Sequence, residues 1–220
     1  MENTETQANW IVKAFQDGGP AMYFIALTGL IVLLIIIGRF KNLKALTVDR
    51  NDFNDRVGGF LMRGELKQAI AYCDQNPTPM TTTIKSGLVQ VLANRPDEEV
   101  QVAMDGAVLR ETPKIEGWTQ FLAVFGNVAT LIGLLGTIIG LIKGFGGLSS
   151  ADPAKKAEIL SLGISHALNC TAFGLSVAIL ALLAFGYFQM QVGRLINEVT
   201  ETSMTIMNLV VSNRDKMKNS

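Results

Sequence analysis

The 220-residue sequence has few of the residues that build catalytic or metal sites, and it has no net charge. Its 19 Lys and Arg side chains balance 19 Asp and Glu side chains, and it contains one histidine and two cysteines. A composition without a basic excess gives no electrostatic argument for nucleic-acid binding. No metal-binding spacing and no phosphate-binding loop ending in Lys-Ser or Lys-Thr is present. We therefore expect no enzyme activity, no cofactor, no metal site and no nucleic-acid partner.

Charge is also missing locally, from three long stretches of the chain. Residues 18–38, 117–142 and 159–193 contain no Asp, Glu, Lys or Arg over 21, 26 and 35 positions. Soluble domains do not separate their charges in this way. A helix of about 20 mostly apolar residues crosses the hydrocarbon core of a bilayer. We therefore predict an all-α, polytopic membrane protein that spans the lipid bilayer with three transmembrane helices.

Basic residues near the span ends predict the orientation of the chain. Arg39, Lys41 and Lys44 directly follow the first charge-free run, whereas only Lys13 precedes it. The start of the sequence is acidic, unlike a cleavable signal peptide. The N-terminus is thus expected outside the cytoplasm and the C-terminus inside it. The predicted segments are a periplasmic N-terminal segment 1–20, transmembrane helix 21–38, cytoplasmic helical domain 39–116, transmembrane helix 117–142, periplasmic loop 143–163, transmembrane helix 164–188 and cytoplasmic C-terminal helix 189–220.

The segment between the first two spans has helical rather than strand periodicity. Leu66, Ala69, Ile70 and Cys73 recur at helical spacing, and a Pro-containing stretch follows them. A further helix is predicted over residues 80–93. The acidic run at 97–99 then marks another helix start, and this helix approaches the second span with kinks expected at Pro113 and Gly117.

An apolar stripe continues beyond the third span, so two membrane helices are expected to extend into a cytoplasmic helical bundle. Cys73 is predicted to be cytosolic and Cys170 to lie in the third span. Both are therefore expected to be free thiols.

Small residues recur at helical spacing in the second and third spans, a pattern that lets membrane helices approach closely. Thr137 and Thr171 add one hydroxyl to each stripe, and their distances from the span ends place them at similar depth. Most membrane threonines return the hydroxyl to a carbonyl of their own helix. A polar pathway between the helices is the alternative, and the sequence leaves both interpretations open. The predicted packing residues are Gly133, Gly136, Gly140, Gly144, Ala167, Gly174 and Ala178.

The spans contain no Asp, Glu, Lys or Arg. Proton transport through a membrane normally needs an ionisable group within it. If this chain conducts ions, the carboxylate must therefore come from another polypeptide.

These features resemble the MotA/TolQ/ExbB proton-channel family, and most closely its TolQ/ExbB branch. The specific parts are residues 133–142 (GLLGTIIGLI) and residues 163–175 (GISHALNCTAFGL). Residues 18–22 (GGPAM) and Arg39 resemble the family's first span, and the helix beginning near Leu66 resembles its cytoplasmic region.

The resemblance implies an inner-membrane subunit that forms a homopentameric ring around single-span partners of the ExbD/TolR type. In the family, protons pass along an Asp of the partner helix, beside threonines that match Thr137 and Thr171. In the family, the energy released by this proton flow drives work at the cell envelope, in TonB-like transport, Tol-like envelope maintenance or gliding motility. A TonB/TolA-like or gliding-machinery protein is therefore a further expected partner.

The sequence departs from the family pattern at three places. Residues 127–130 lack the family's proline before the glycine-threonine run, and Leu180 stands where the family has a proline. His166 stands where the TolQ/ExbB branch has a Glu. Its imidazole is either a solvated or capping group near the outer interface, or a group that handles protons, because imidazole changes charge near ambient pH.

Two functional hypotheses follow. The first is a proton-channel or stator subunit that acts with an Asp-bearing partner, with Thr137, Thr171 and His166 along the ion pathway or the partner-helix contact. The second is a non-conducting membrane scaffold that anchors envelope or cytoplasmic proteins. Co-purification with a single-span, Asp-bearing partner would favour the first hypothesis, and exclusively soluble partners would favour the second.

Overall fold

The computed structural model describes residues 18–48, 50–148 and 152–217, with side chains described as far as Arg214. Within these ranges the chain is helical and has no strand, so the all-α prediction is confirmed. Most of the predicted segment 1–20 lies outside the described residues. The helices are α1 (Gly19–Leu46), α2 (Arg50–Met62), α3 (Leu66–Gln75), α4 (Pro79–Leu92), α5 (Asp97–Glu116), α6 (Thr119–Leu148) and α7 (Lys156–Met217).

Three segments each contain an apolar helical stretch that is long enough to cross a membrane: Gly19–Met62, Asp97–Leu148 and Lys156–Arg214. Their apolar surfaces are largely exposed in the single chain, and Leu131 and Leu183 are 63% and 71% exposed. Continuous apolar surface of this extent does not face water in a monomeric soluble protein. The prediction of three membrane-spanning helices is confirmed.

Local sequence signals set the helix boundaries outside the apolar runs. The Thr78 side chain accepts a hydrogen bond from the backbone N–H of Thr81, whose own hydroxyl accepts from the Thr78 N–H, and Pro79 follows at the first helical position. Helix α4 ends before Asn94, which has a left-handed φ of 55°. These boundaries agree closely with the helix predicted over residues 80–93.

The predicted break between α5 and the second span lies at Gly117. Helix α5 passes through Pro113 without ending and stops at Glu116. Gly117 then has φ 46° and ψ −134°, a conformation that only glycine adopts readily. Its N–H donates to the carbonyl oxygen of Pro113, and α6 begins two residues later.

The chain divides into two compact units. The apolar unit comprises residues 18–38 and Trp118–Tyr187. The charged unit comprises the described residues of Arg39–Gly117 and Phe188–Ser220. The charged unit has its own hydrophobic core, to which α2, α3, α4, α5 and the C-terminal part of α7 contribute. Its fully or almost fully buried side chains include Phe53, Leu66, Ile84, Met104 and Ile206.

Candidate functional site

Helices α6 and α7 approach so closely that their backbones touch. A Cβ atom added to Gly163 would lie 2.6 Å from the Cα of Gly144, and one added to Gly174 would lie 2.8 Å from the carbonyl oxygen of Ala129. Real Cβ atoms are essentially never found at such distances. Close backbone approach of this kind is how membrane helices gain packing energy where no hydrophobic effect brings them together.

The contact between α6 and α7 is antiparallel and keeps one register along its length. Gly140 faces Ala167, Gly136 faces Cys170 and Gly133 faces Gly174, so residue numbers rise on one helix as they fall on the other. Gly126 continues the series against Ala178 and Ala181. The packing residues named from the sequence are all buried, namely Gly133, Gly136, Gly140, Gly144, Ala167, Gly174 and Ala178.

The two threonines named from the sequence lie at one level of this contact. Gly136, which precedes Thr137, faces Cys170, which precedes Thr171. Both threonines are half-buried, and the Cα of Thr171 would lie 3.4 Å from a Cβ atom on Gly133. The register therefore brings the two residues to the same depth of the helix pair.

The hydroxyls of the two threonines have different surroundings. Thr137 Oγ1 donates a 2.6 Å hydrogen bond to the Leu134 carbonyl oxygen of its own helix. This is the ordinary arrangement of a membrane threonine. Thr171 Oγ1 is buried and has no hydrogen-bond partner within the part of the chain that the structure describes. A buried hydroxyl without a partner costs about 1–3 kcal/mol. Thr119 at the start of α6 carries a second such hydroxyl within the apolar unit, and Thr171 is the one that lies level with Thr137.

Cys170 and the start of α1 were missed by the sequence analysis, although both belong to this arrangement. Cys170 is fully buried, and its Sγ donates a 3.1 Å hydrogen bond to the Gly18 carbonyl oxygen. Met22 and Ile25 of α1 form a hydrophobic cluster with Cys170. Cysteine behaves here as a small apolar residue, which a search for Gly and Ala stripes does not find.

His166 lies where α1 begins against the other two helices of the apolar unit. Its Cε1 would be 2.4 Å from a Cβ on Gly19, and its Cδ2 would be 2.7 Å from a Cβ on Gly140. The imidazole thus packs between two glycines. Gly19 also has a left-handed φ of 62° at the start of α1, so a side chain there would be strained as well as crowded.

This arrangement supplies hydroxyls and one imidazole but no carboxylate. Thr137 and Thr171 can orient water or donate to an anion, yet a hydroxyl does not take up and release protons at neutral pH. His166 is the only histidine of residues 117–142 and 159–193, which contain no Asp, Glu, Lys or Arg. A charge-carrying step at the level of the threonines therefore requires an acidic group from another chain.

Comparison with known proteins identifies the family. The model of the MotA/TolQ/ExbB proton channel family matches residues 75–201, which include the entire contact between α6 and α7. The chain belongs to this family. The TolQ/ExbB branch is also supported, because the similar proteins include members named ExbB and TolQ.

Three relatives illustrate the range of similarity. An ExbB homolog of Methanothermobacter thermautotrophicus, named for biopolymer transport, is 28% identical over 88% of this chain and 67% of its own length. TolQ of the Tol-Pal system of Pseudomonas aeruginosa is 39% identical over 44% of this chain and 43% of its own length. The biopolymer transport protein ExbB of Xanthomonas campestris is 38% identical over 41% of this chain and 36% of its own length. The matches thus span between about one third and two thirds of these relatives.

Proposed function

We propose that this protein is the multi-span subunit of an inner-membrane proton channel that couples the proton-motive force to work on the cell envelope. Membership in the MotA/TolQ/ExbB proton channel family and three apolar helices support this role. The observation that carries the proposal is the buried, unpartnered Thr171 hydroxyl, level with Thr137 in spans that lack any carboxylate. Both features, the unpartnered hydroxyl and the lack of carboxylates, are explained if the proton pathway is completed by an acidic side chain on the helix of another subunit.

The partner is a single-span subunit of the ExbD/TolR type with an Asp in its membrane helix. Its carboxylate takes up and releases the proton, and Thr171 donates a hydrogen bond to the carboxylate or to a water beside it. Thr137 lines the same level of the contact. The subunit forms a homopentameric ring around this partner, as the resemblance to the family implies, and Thr171 then lies near the partner helix.

The proposed topology follows the basic residues Arg39, Lys41 and Lys44. The N-terminus is periplasmic, residues 39–116 and 189–220 are cytoplasmic, and residues 143–163 face the periplasm. Relatives named for biopolymer transport and for the Tol-Pal system support the proposal that the driven process is envelope transport or envelope maintenance. A TonB/TolA-like protein is the further partner in such processes, and gliding motility is a third use of this architecture.

Replacement of Thr171 by Val tests the proposal, since valine keeps the shape and removes only the hydroxyl. The chain is co-produced with its single-span partner, and proton uptake into vesicles is measured under an imposed gradient. We expect Thr171→Val to reduce the flux about 10- to 100-fold, the effect of losing a hydrogen bond to a charged group. The assembled complex should keep its size.

Thr28→Val is the matched control. Thr28 is also a buried threonine of a membrane helix, but its hydroxyl donates to the Phe24 carbonyl oxygen of its own helix at 2.8 Å. We expect normal flux from this variant. Normal flux from Thr171→Val in a correctly sized complex would contradict the proposal and favour the non-conducting scaffold.

A further inference from the structure

A cavity of about 300 Å³ lies between α6 and α7 at the end of their contact nearest Lys143. Its lining includes the polar residues Lys143, Ser165 and His166 and the apolar residues Ile159 and Leu162. Glycines from both helices complete the lining. Because the helices meet here through glycine, no side chain from the contact fills the space.

The polar side chains of the cavity are suited to an anion. Lys143 carries a positive charge, the Ser165 hydroxyl donates a hydrogen bond, and imidazole has an N–H donor in either protonation state. The lining includes no carboxylate. An ammonium group with neighbouring neutral donors is a common way to hold a phosphate oxygen.

The position of the cavity favours a ligand of the membrane surface. Lys143 is the first charge after the apolar run 117–142, so it marks the level at which the hydrocarbon ends. Beside it, Ile142, Phe145 and Leu162 are 65%, 59% and 62% exposed. Such apolar side chains next to a cationic cavity match a phosphate group that continues into acyl chains.

We infer that this cavity is a phosphate-binding site, in which Lys143 provides the charge and Ser165 and His166 provide hydrogen bonds. The headgroup of an anionic phospholipid and free inorganic phosphate share the chemistry that the site recognises. The inference is independent of ion conduction, because it rests on the lining of the cavity and not on the level of the threonines.

Native mass spectrometry of the purified full-length protein in detergent tests the site. Dioleoylphosphatidylglycerol is added, and dioleoylglycerol, which lacks the phosphate, serves as the comparison lipid. We expect the phosphate-bearing lipid to remain bound where dioleoylglycerol does not. Lys143→Gln should weaken its binding about tenfold, because one charged hydrogen-bond donor is lost.

Lys156→Gln is the matched control, since Lys156 is an exposed lysine at the start of α7 that does not line the cavity. We expect it to retain the lipid fully. Both substitutions are at exposed positions, so loss of binding through misfolding is not expected, and unchanged thermal unfolding verifies this.

Inorganic phosphate is added in a separate titration. Displacement of the lipid by millimolar phosphate, or a phosphate adduct that depends on Lys143, would show that the free anion binds the site without a lipid tail. A lipid adduct that depends on Lys143 and resists phosphate would identify the lipid headgroup as the ligand. Equal binding of the two lipids would contradict the proposed site. Equal retention of the phosphate-bearing lipid by the wild type and Lys143→Gln, with no phosphate adduct, would contradict it as well.

Discussion

Nη2 of Arg39 donates a 2.6 Å hydrogen bond to the main-chain carbonyl oxygen of Ile115. Arg39 is only 3% exposed, although it directly follows the first charge-free run. Ile115 belongs to the last turn of α5, where carbonyl groups lack partners within the helix and the helix dipole is negative. The arginine therefore stabilises the end of α5 next to the break at Gly117, in addition to ending the first charge-free run.

Arg39→Ala should destabilise this helix end, since it removes a charged hydrogen-bond donor and leaves the Ile115 carbonyl without it. We expect a loss of about 1.5–3 kcal/mol, with faster amide hydrogen exchange over residues 113–118. Arg63→Ala is the control, because Arg63 forms an exposed ion pair with Glu65 and should change stability by less than about 1 kcal/mol. An unchanged rate of amide hydrogen exchange at residues 113–118 in Arg39→Ala would show that the Arg39–Ile115 hydrogen bond does not stabilise this helix end.

Gly174→Ala should disrupt the pairing of α6 and α7. The added methyl group would lie 2.8 Å from the Ala129 carbonyl oxygen and 3.0 Å from the Cα of Gly133, and neither backbone atom can move away without separating the helices. We expect a destabilisation of about 1–3 kcal/mol in thermal unfolding of the purified protein.

The same substitution at Gly186, on the same helix, provides the comparison. A Cβ atom on Gly186 would meet nothing within 4 Å, so Gly186→Ala should be neutral or stabilise the helix by up to about 1 kcal/mol. Equal melting temperatures for the two variants would contradict the proposed close contact.

Cys73 should react slowly with thiol reagents. Burial, with a smaller contribution from Asp74, raises the pKa of its thiol from 9.0 to about 11. At pH 8 the thiolate fraction falls from about 10% to about 0.1%, so alkylation should be about 100-fold slower than in the unfolded chain. Because the folded chain holds this proton more tightly, the thiol's contribution to stability is present below about pH 9 and lost as the pH rises through about 11.

Peptide mapping after timed iodoacetamide treatment measures Cys73 separately from Cys170. Both cysteines are free and buried, in agreement with the prediction of free thiols. Similar alkylation rates at Cys73 in the folded and the denatured protein would show that the thiol is accessible to solvent in the folded protein.

His166→Ala tests whether the imidazole takes part in proton transfer. The ring lies at the level of Gly19 and Gly140, on the side of the threonines nearer Lys143 along the helix pair. If it relays protons, the alanine variant lowers proton flux and alters its pH dependence while the complex assembles normally. Ser161→Ala, an exposed neighbour on α7, is expected to conduct normally, and full flux from His166→Ala would exclude the ring from proton transfer.

Much of the fold could be predicted because its signals are local. The length of the charge-free runs identified the spans, and the Pro-containing stretch after Cys73 and the acidic residues at 97–99 marked helix ends through local backbone and dipole preferences. The glycine stripes were visible because their period matches the helix. These features require no knowledge of which helices are neighbours.

The rest depended on contacts between distant parts of the chain. The Cys170–Gly18 hydrogen bond joins residues 152 positions apart, and Arg39 is bonded to a main-chain carbonyl that no side-chain pattern marks. The small-residue stripe of the third span was drawn without Cys170, whereas Cys170 faces Gly136 in the contact. Which threonine lacks a hydrogen-bond partner could be learned only from the packed helices.

The central claim is that this chain provides the helices and hydroxyls of a proton pathway, while a partner subunit provides the acid. Proton flux should be compared in vesicles that contain the chain alone, the chain with its single-span partner, and the chain with a partner whose membrane Asp is replaced by Asn. We predict flux above background only in the second preparation. Flux through the chain alone that equals the flux through the complete assembly would contradict the account.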